Sequence, residues 1–314
     1  ACGSNPIYPQ GGTWIYDRAG WCPGQASDLR EDDITTLVNP GQIHNIDYGV
    51  MSASGSSNYW VSSQLVSYKG ANHNLDASVM DIISPTNKVK YSRINPTCGK
   101  PKIVIKNTGE TILTSLKIEY WINSSINKES QIWNGNLSFQ EEETISLEAP
   151  SNFWDNLLSS NNKFYVEISE PNQSLDENIY NNYINSTFEP VPKYDNTFAL
   201  WLQTNSGTIG ASQSETSWKI FDINDSLTYE SAGGGSLMIN SQYRDTLVFD
   251  NGCYSFIIND SDNDGIDFWA NNDGAGMARF RKIGGSWIKI FEGDFGSSVH
   301  HEFQIDNGTT FIEE

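Results

Sequence analysis

Basic residues are scarce in this chain. Nineteen Lys and Arg stand against 39 Asp and Glu in 314 residues, a formal charge of −20, and the sequence pI is about 4.4. That balance argues against nucleic acid or anionic membranes as partners, because both are bound through basic patches. Long apolar runs are also missing. No stretch approaches the 18 residues that a membrane-spanning helix needs, so no transmembrane segment is expected. The sequence opens at Ala1 without a basic n-region or an apolar h-region, so any signal peptide is expected to be removed or to lie outside this sequence. Cysteines number four, and the usual zinc spacings are absent. There is no Gly-x-Ser-x-Gly elbow, no His-Glu-x-x-His and no P-loop. Of the four histidines, His44 and His73 read as surface residues. His300 and His301 adjoin, and neighbours on a strand point to opposite faces, which makes them a poor joint metal site.

Helical patterning is missing as well. No window carries a sustained i, i+3, i+4 apolar stripe with caps. Short alternating runs take its place, such as Ile103-Val-Ile, Leu116–Ile122, Phe164-Tyr-Val-Glu-Ile and Tyr254-Ser-Phe-Ile-Ile. They are rich in β-branched and aromatic residues and punctuated by Asn, Gly and Pro, which predicts an all-β chain. In Leu116–Ile122, the residues Leu116, Ile118, Tyr120 and Ile122 share one face, as in a half-buried strand of a sandwich. Boundaries are expected near Ser84-Pro-Thr-Asn and at the stiff Glu189-Pro-Val-Pro. Three units result, covering residues 1–85, 86–190 and 194–314. An even cysteine count in an Asn-, Ser-, Gly- and Trp-rich chain reads as two disulfides in an oxidising compartment. The expected location is therefore secreted or cell-surface.

One stretch is not generic. Asp17-Arg-Ala-Gly-Trp-Cys-Pro-Gly packs an ion pair, a large aromatic, a cysteine and three backbone-restricting residues into one loop. Gly20 and Gly24 permit unusual backbone angles and Pro23 fixes φ, so the loop can hold Arg18 in a set direction. Together with Cys2-Gly-Ser-Asn-Pro-Ile, Gly-Gly-Thr-Trp and Tyr59-Trp-Val-Ser-Ser-Gln-Leu-Val, it resembles the C-terminal domain of the bacterial peptide-N-glycosidase F family. The likeness covers residues 1–85. It implies part of the second of two jelly-roll sandwiches in an enzyme that hydrolyses the amide between a glycan and asparagine. It implies Arg18 as an active-site neighbour, with Asp17, Gly20, Trp21 and Pro23 as loop support. It also implies a Cys2–Cys22 bridge, which leaves Cys98 and Cys253 as a remaining pair whose bonding the sequence leaves open. The family's catalytic carboxylates lie upstream of the matched region. Upstream polypeptide or another chain is thus expected to complete the first unit, since half a jelly roll would expose sheet edges.

Residues 86–190 resemble the CARDB-type immunoglobulin-like module of bacterial surface proteins. The marks are Lys106-Asn-Thr-Gly-Glu, Trp133-Asn-Gly-Asn-Leu and Asp176-Glu-Asn-Ile-Tyr-Asn-Asn. Such modules serve as spacers or adhesion units. In the third unit the run Asp260-Ser-Asp-Asn-Asp-Gly-Ile-Asp places carboxylates at alternate positions before a Gly, like the first half of a calcium loop. Asp260, Asp262 and Asp264 would supply side chains, Ile266 a carbonyl and Asp267 a further oxygen. Position twelve would be Asn271 rather than Glu, so a polar turn stands as the alternative. Two functional expectations follow. The chain is either the C-terminal part of a secreted peptide-N-glycosidase F-like amidohydrolase, acting on glycoproteins, or a non-catalytic adhesin or carbohydrate-binding protein.

Overall fold

Pattern alternation carries directly into structure. The computed structural model describes residues 70–306, apart from 151, 156, 232–236 and 269–271, together with scattered residues between 32 and 66. Among the described residues the chain forms eighteen strands and four short 3₁₀ turns, so it is all-β. Among the described residues no helix is long and apolar enough to cross a membrane. The strands form two sandwiches.

The first sandwich has seven strands: β1 (Ala77–Ser84), β2 (Lys102–Asn107), β3 (Leu113–Ile122), β4 (Glu129–Leu137), β5 (Glu142–Ser146), β6 (Asn162–Ser169) and β7 (Tyr183–Phe188). Sheet β1-β2-β5 faces sheet β4-β3-β6-β7. This three-plus-four antiparallel arrangement has the strand count of an immunoglobulin-type sandwich. In β6 every second residue is buried, Asn162, Phe164, Val166 and Ile168, because successive side chains alternate between faces. Ile82, Ile103 and Ile105 of one sheet and Leu116, Ile118, Phe164 and Val166 of the other are wholly inaccessible and share one core. The expected face of β3 is the buried one, and Trp121 on its opposite face is also covered, stacked on Tyr165 at 5.4 Å. Strand β1 pairs antiparallel with β2, so this core takes in residues 77–84, upstream of the expected start at 86.

The second sandwich comprises β8 (Lys193–Tyr194), β9 (Thr197–Gln203), β10 (Thr208–Gly210), β11 (Gln213–Ser214), β12 (Thr216–Asp222), β13 (Leu227–Glu230), β14 (Gln242–Val248), β15 (Gly252–Asp260), β16 (Met277–Lys282), β17 (Trp287–Ile290) and β18 (Ser298–Ile305). Sheet β13-β12-β15-β18-β8 packs on sheet β14-β9-β16-β17, and β10-β11 is a separate hairpin. Its core is strongly aromatic. Phe280 lies 4.8 Å from Phe198, 4.9 Å from Phe256 and 5.0 Å from Phe291 between ring centroids. Tilted and edge-on contacts of this kind are the favoured aromatic geometries.

The proline-rich segment between the units is docked rather than free. Val191 is buried in the first core, while the Pro192 carbonyl already accepts the Gln304 N–H at 3.0 Å. Lys193 and Tyr194 then pair in parallel with Gln304 and Ile305 of β18. A second joint forms where residues 93–99 meet the same strand. Cys98 is disulfide-bonded to Cys253, with Cα atoms 5.8 Å apart, which settles the pairing that the sequence left open. Beside it, Glu302 Oε2 accepts from Thr97 Oγ1 at 2.6 Å, Cys98 N at 2.8 Å and Gly99 N at 2.9 Å. Arg93 donates to the carbonyls of Phe295 at 2.6 Å and Ser298 at 3.2 Å.

Burial pushes the Glu302 carboxyl upward, while its three donors oppose that shift. Removing the acceptor would leave those donors unpaired in a largely buried joint. Glu302→Ala is therefore expected to cost about 3 kcal/mol, read as a lower midpoint in denaturant unfolding followed by intrinsic tryptophan fluorescence.

Candidate metal centre

The end of β15 carries the acidic run into the interior. Asp260 is the last residue of that strand and lies opposite Thr216 of β12. The residue before Thr216 is Glu215, so antiparallel pairing sets a glutamate at the entrance to one strand beside the aspartate that ends another. The chain then turns through Asn263, with φ 66°, and Gly265, with φ 84°. At Gly265 a Cβ would stand 2.3 Å from the Gly293 carbonyl, so only glycine fits this close, left-handed position. That turn returns Asp264 towards Asp260, and the Asp264 N–H donates to Asp260 Oδ1 at 3.2 Å.

Glu215, Asp260 and Asp264 come together here. All three are buried, and each offers a carboxylate oxygen within 4.8 Å of the others. Asn205 joins the group by donating from Nδ2 to Glu215 Oε1 at 3.2 Å. Gly207 makes room for that carboxylate, since a Cβ on it would meet Glu215 Oε1 at 1.7 Å. Asp260 is 3% exposed, and its Oδ2 has no hydrogen-bond partner among the described residues.

Bringing these acids together without a cation is costly. Burial, reinforced by the charges of Glu215 and Asp264, pushes Asp260 up to about 7. Burial likewise raises Glu215 to about 7; the Asn205 hydrogen bond opposes the shift, and Asp264, Asp273 and Asp262 add to it. A hard divalent cation relieves both causes at once, because carboxylate and amide oxygens are its preferred ligands. The donor set is all oxygen, which suits calcium and gives no foothold to metals that prefer thiolate or imidazole.

The structure thus brings together two of the expected ligands, Asp260 and Asp264. Asp262 is exposed at the tip of the turn and stands outside the group, as does the exposed Asp267. The Ile266 carbonyl instead accepts the Gly276 N–H at 2.5 Å, so it is engaged in the backbone packing of the loop. The sequence reading missed Glu215 and Asn205. Their only local signal is an isolated acid before a strand and an Asn two residues before a Gly. The expected site residues Asp17, Arg18, Gly20, Trp21, Pro23, Cys2 and Cys22 all lie outside the described residues.

Other titratable groups serve packing. Cys98, Cys253 and Glu302 also cluster, but the two sulfurs are bonded to each other and hold no thiolate for a metal. His301 sits 5.4 Å from Phe291 by ring centroids and its Nε2 is 2.8 Å from Tyr194 Oη. Burial, with Lys289 as a lesser cause, pushes it down to about 3. It is therefore neutral at ordinary pH. A cleft of about 430 Å³ between the sandwiches opens beside it, lined in part by Arg93, Tyr194 and Phe295.

The fold and this site define a tandem of disulfide-linked β-sandwiches with a buried all-oxygen acid cluster. Compared with protein-family models and with curated proteins, the chain matches none.

The raised pKa of Glu215 fixes a sign for metal-free protein. An acid held above its unfolded value favours the folded state fully below pH 4, and that advantage is lost as pH rises through about 7. Glu215→Gln in the presence of chelator should therefore stabilise the protein at pH 8, by on the order of 1–2 kcal/mol, and change little at pH 4. Thermal melts of the two proteins at both pH values check this.

Proposed function

We propose that the second sandwich is a calcium-stabilised, non-catalytic module and that the pair of sandwiches is an extracellular spacer or adhesion region of a secreted or cell-surface bacterial protein. The observation that carries this reading is Asp260 Oδ2, buried and without a donor among the described residues, in a group of three carboxylates. Glu215, Asp260 and Asp264 would hold the ion, with the Asn205 carbonyl oxygen as a neutral ligand if its amide is turned over. A cation so enclosed ties the end of β15 to the start of β12 and to the loop that follows. Its chemistry is structural: it compensates buried charge and sets loop geometry. The interdomain disulfide suits an oxidising compartment, where free calcium is abundant enough to fill a modest site.

A second reading keeps the enzyme. The octapeptide Asp17–Gly24 resembles the peptide-N-glycosidase F loop, and in that reading the two sandwiches are accessory modules of an amidohydrolase whose catalytic carboxylates lie upstream. Arg18 would line its cleft, where a planar guanidinium can polarise an amide carbonyl or orient a carboxylate.

Each reading has its own test. Calcium at about 100 times its Kd adds about 2.7 kcal/mol, a rise in Tm on the order of 10 °C for a unit of this size. That rise is expected in the wild type and absent in Asp260→Asn; equal melting with calcium and with chelator would reduce the cluster to a polar turn. Arg18→Ala, made in the longest native polypeptide, is expected to abolish release of N-glycans from a denatured glycoprotein while leaving the melting curve in place. Undiminished release would remove Arg18 from the active site.

A further inference from the structure

The outer face of sheet β14-β9-β16-β17 concentrates charge of the sign this protein otherwise lacks. The chain has six arginines against 39 acids, and three of the six, Arg244, Arg279 and Arg281, lie on this one face. The register puts them there. Arg244 of β14 is opposite Trp201 of β9, and Trp201 is opposite Arg279 of β16. Arg281 is opposite Trp287 of β17. The inward residues of the same strands, such as Phe198, Leu200 and Phe280, fill the core, so the alternation of the strands turns the arginines and tryptophans outward.

The five side chains form one connected array. Trp201 and Trp287 meet edge-on at 5.3 Å. Arg244 lies over Trp201 at 4.0 Å, Arg281 over Trp201 at 4.7 Å and over Trp287 at 5.1 Å, and Arg279 over Trp287 at 5.1 Å. A guanidinium stacked on an indole engages its flat face and leaves in-plane N–H groups free to donate outward. None of the three arginines has an ion pair among the described residues; the cation of β16 that does is Lys282, 3.2 Å from Asp195. Arg281 Nε donates to the Gly285 carbonyl at 2.8 Å, which fixes that side chain, while Arg279 Nε is buried, so the terminal Nη groups are what these two arginines can turn outward. Trp287 is 36% exposed. The remaining outward positions of these strands are neutral and include no carboxylate.

We infer that this face is a binding site for an acidic polysaccharide, a chain of pyranose rings bearing carboxylates. The guanidinium edges match carboxylates in a planar, two-bond fashion. The exposed part of the Trp287 indole offers apolar surface to the C–H bonds of a sugar ring. Arg244 and Arg279 flank β9, about 10 Å apart across the sheet, so they suit separated acids on one polymer. Three arginines on a protein of charge −20 fit such a sparsely charged chain better than duplex DNA, with one charge per about 1.7 Å. At physiological salt the Debye length is about 8 Å, so distant acids are screened while contact arginines are not. The inference goes beyond the calcium reading and uses none of its residues.

The test is affinity electrophoresis of the whole 314-residue chain through gels containing polygalacturonate, dextran or no polymer, with competition by single-stranded DNA. Polygalacturonate should retard the wild type, dextran should not, and added salt should weaken the retardation. Arg244→Gln should bind about tenfold more weakly, the loss of about 1.4 kcal/mol, with an unchanged Tm. Trp287→Ala should weaken it further. Absence of retardation by polygalacturonate, equal retardation by dextran, tighter binding of DNA, or unchanged binding by Arg244→Gln would each overturn the inference. Whether calcium shifts the melting temperature is a separate readout, so the two readings fail independently.

Discussion

Like charges held together inside a protein demand an explanation from their surroundings, and Glu215, Asp260 and Asp264 receive one from nearly every nearby element. Pairing of β12 with β15 brings the glutamate alongside the first aspartate. The left-handed turn at Asn263 and Gly265 returns the second. Gly207 clears the volume that the Glu215 carboxylate occupies, and Asp260 N is held by the Ser297 carbonyl at 2.8 Å. None of these arrangements minimises repulsion among the acids. Each makes sense if the acids are positioned for a cation, with the loop and strand ends organised around it. The surrounding sandwich then supplies the rigidity, through an aromatic core whose rings restrain both sheets.

Much of this architecture was legible in the amino-acid order. The alternation in Leu116–Ile122 and in Tyr254-Ser-Phe-Ile-Ile marks strands because strand periodicity is local and depends only on neighbours two apart. The acidic run was legible for the same reason, and two of its three alternate aspartates do converge. Glu215 was not, because its partner is forty-five positions away and is delivered by sheet register, which no short window contains. The arginine–tryptophan face is a stronger case of the same limit. Trp201, Arg244, Arg279, Arg281 and Trp287 come from four strands, and each looks unremarkable in its own segment. The prolines around Val191 suggested a spacer, but a stiff segment can also be packed, and Val191 is apolar enough to join a core.

The two sandwiches divide their labours along chemical lines. The first buries aliphatic residues and exposes much of its surface to ordinary polar contacts, such as Lys106 with Glu142 at 2.9 Å and Lys128 with Glu167 at 2.9 Å. Such exposed pairs contribute little to stability individually, so this unit rests on its core. The second segregates charge by sign, with acids gathered at one end of β15 and arginines on the outer face of the opposite sheet. That segregation is what a module with both an internal cation and an external anionic ligand would require.

The joint between the units has a mechanical consequence. Cys98 lies just after the first strand of one sandwich and Cys253 within a central strand of the other. A pull applied between β1 and the end of β18 travels through the disulfide as a covalent shortcut. Everything between the two cysteines, including the proline segment, six strands of the first sandwich and the front half of the second, is bypassed by the tension. What bears load is β1, the run to Cys98, and the segment from Cys253 to the end of β18, whose strands β15 and β18 are hydrogen-bonded along eight residue pairs. A protein built this way can be stretched at its ends while the residues between the two cysteines feel the force only indirectly.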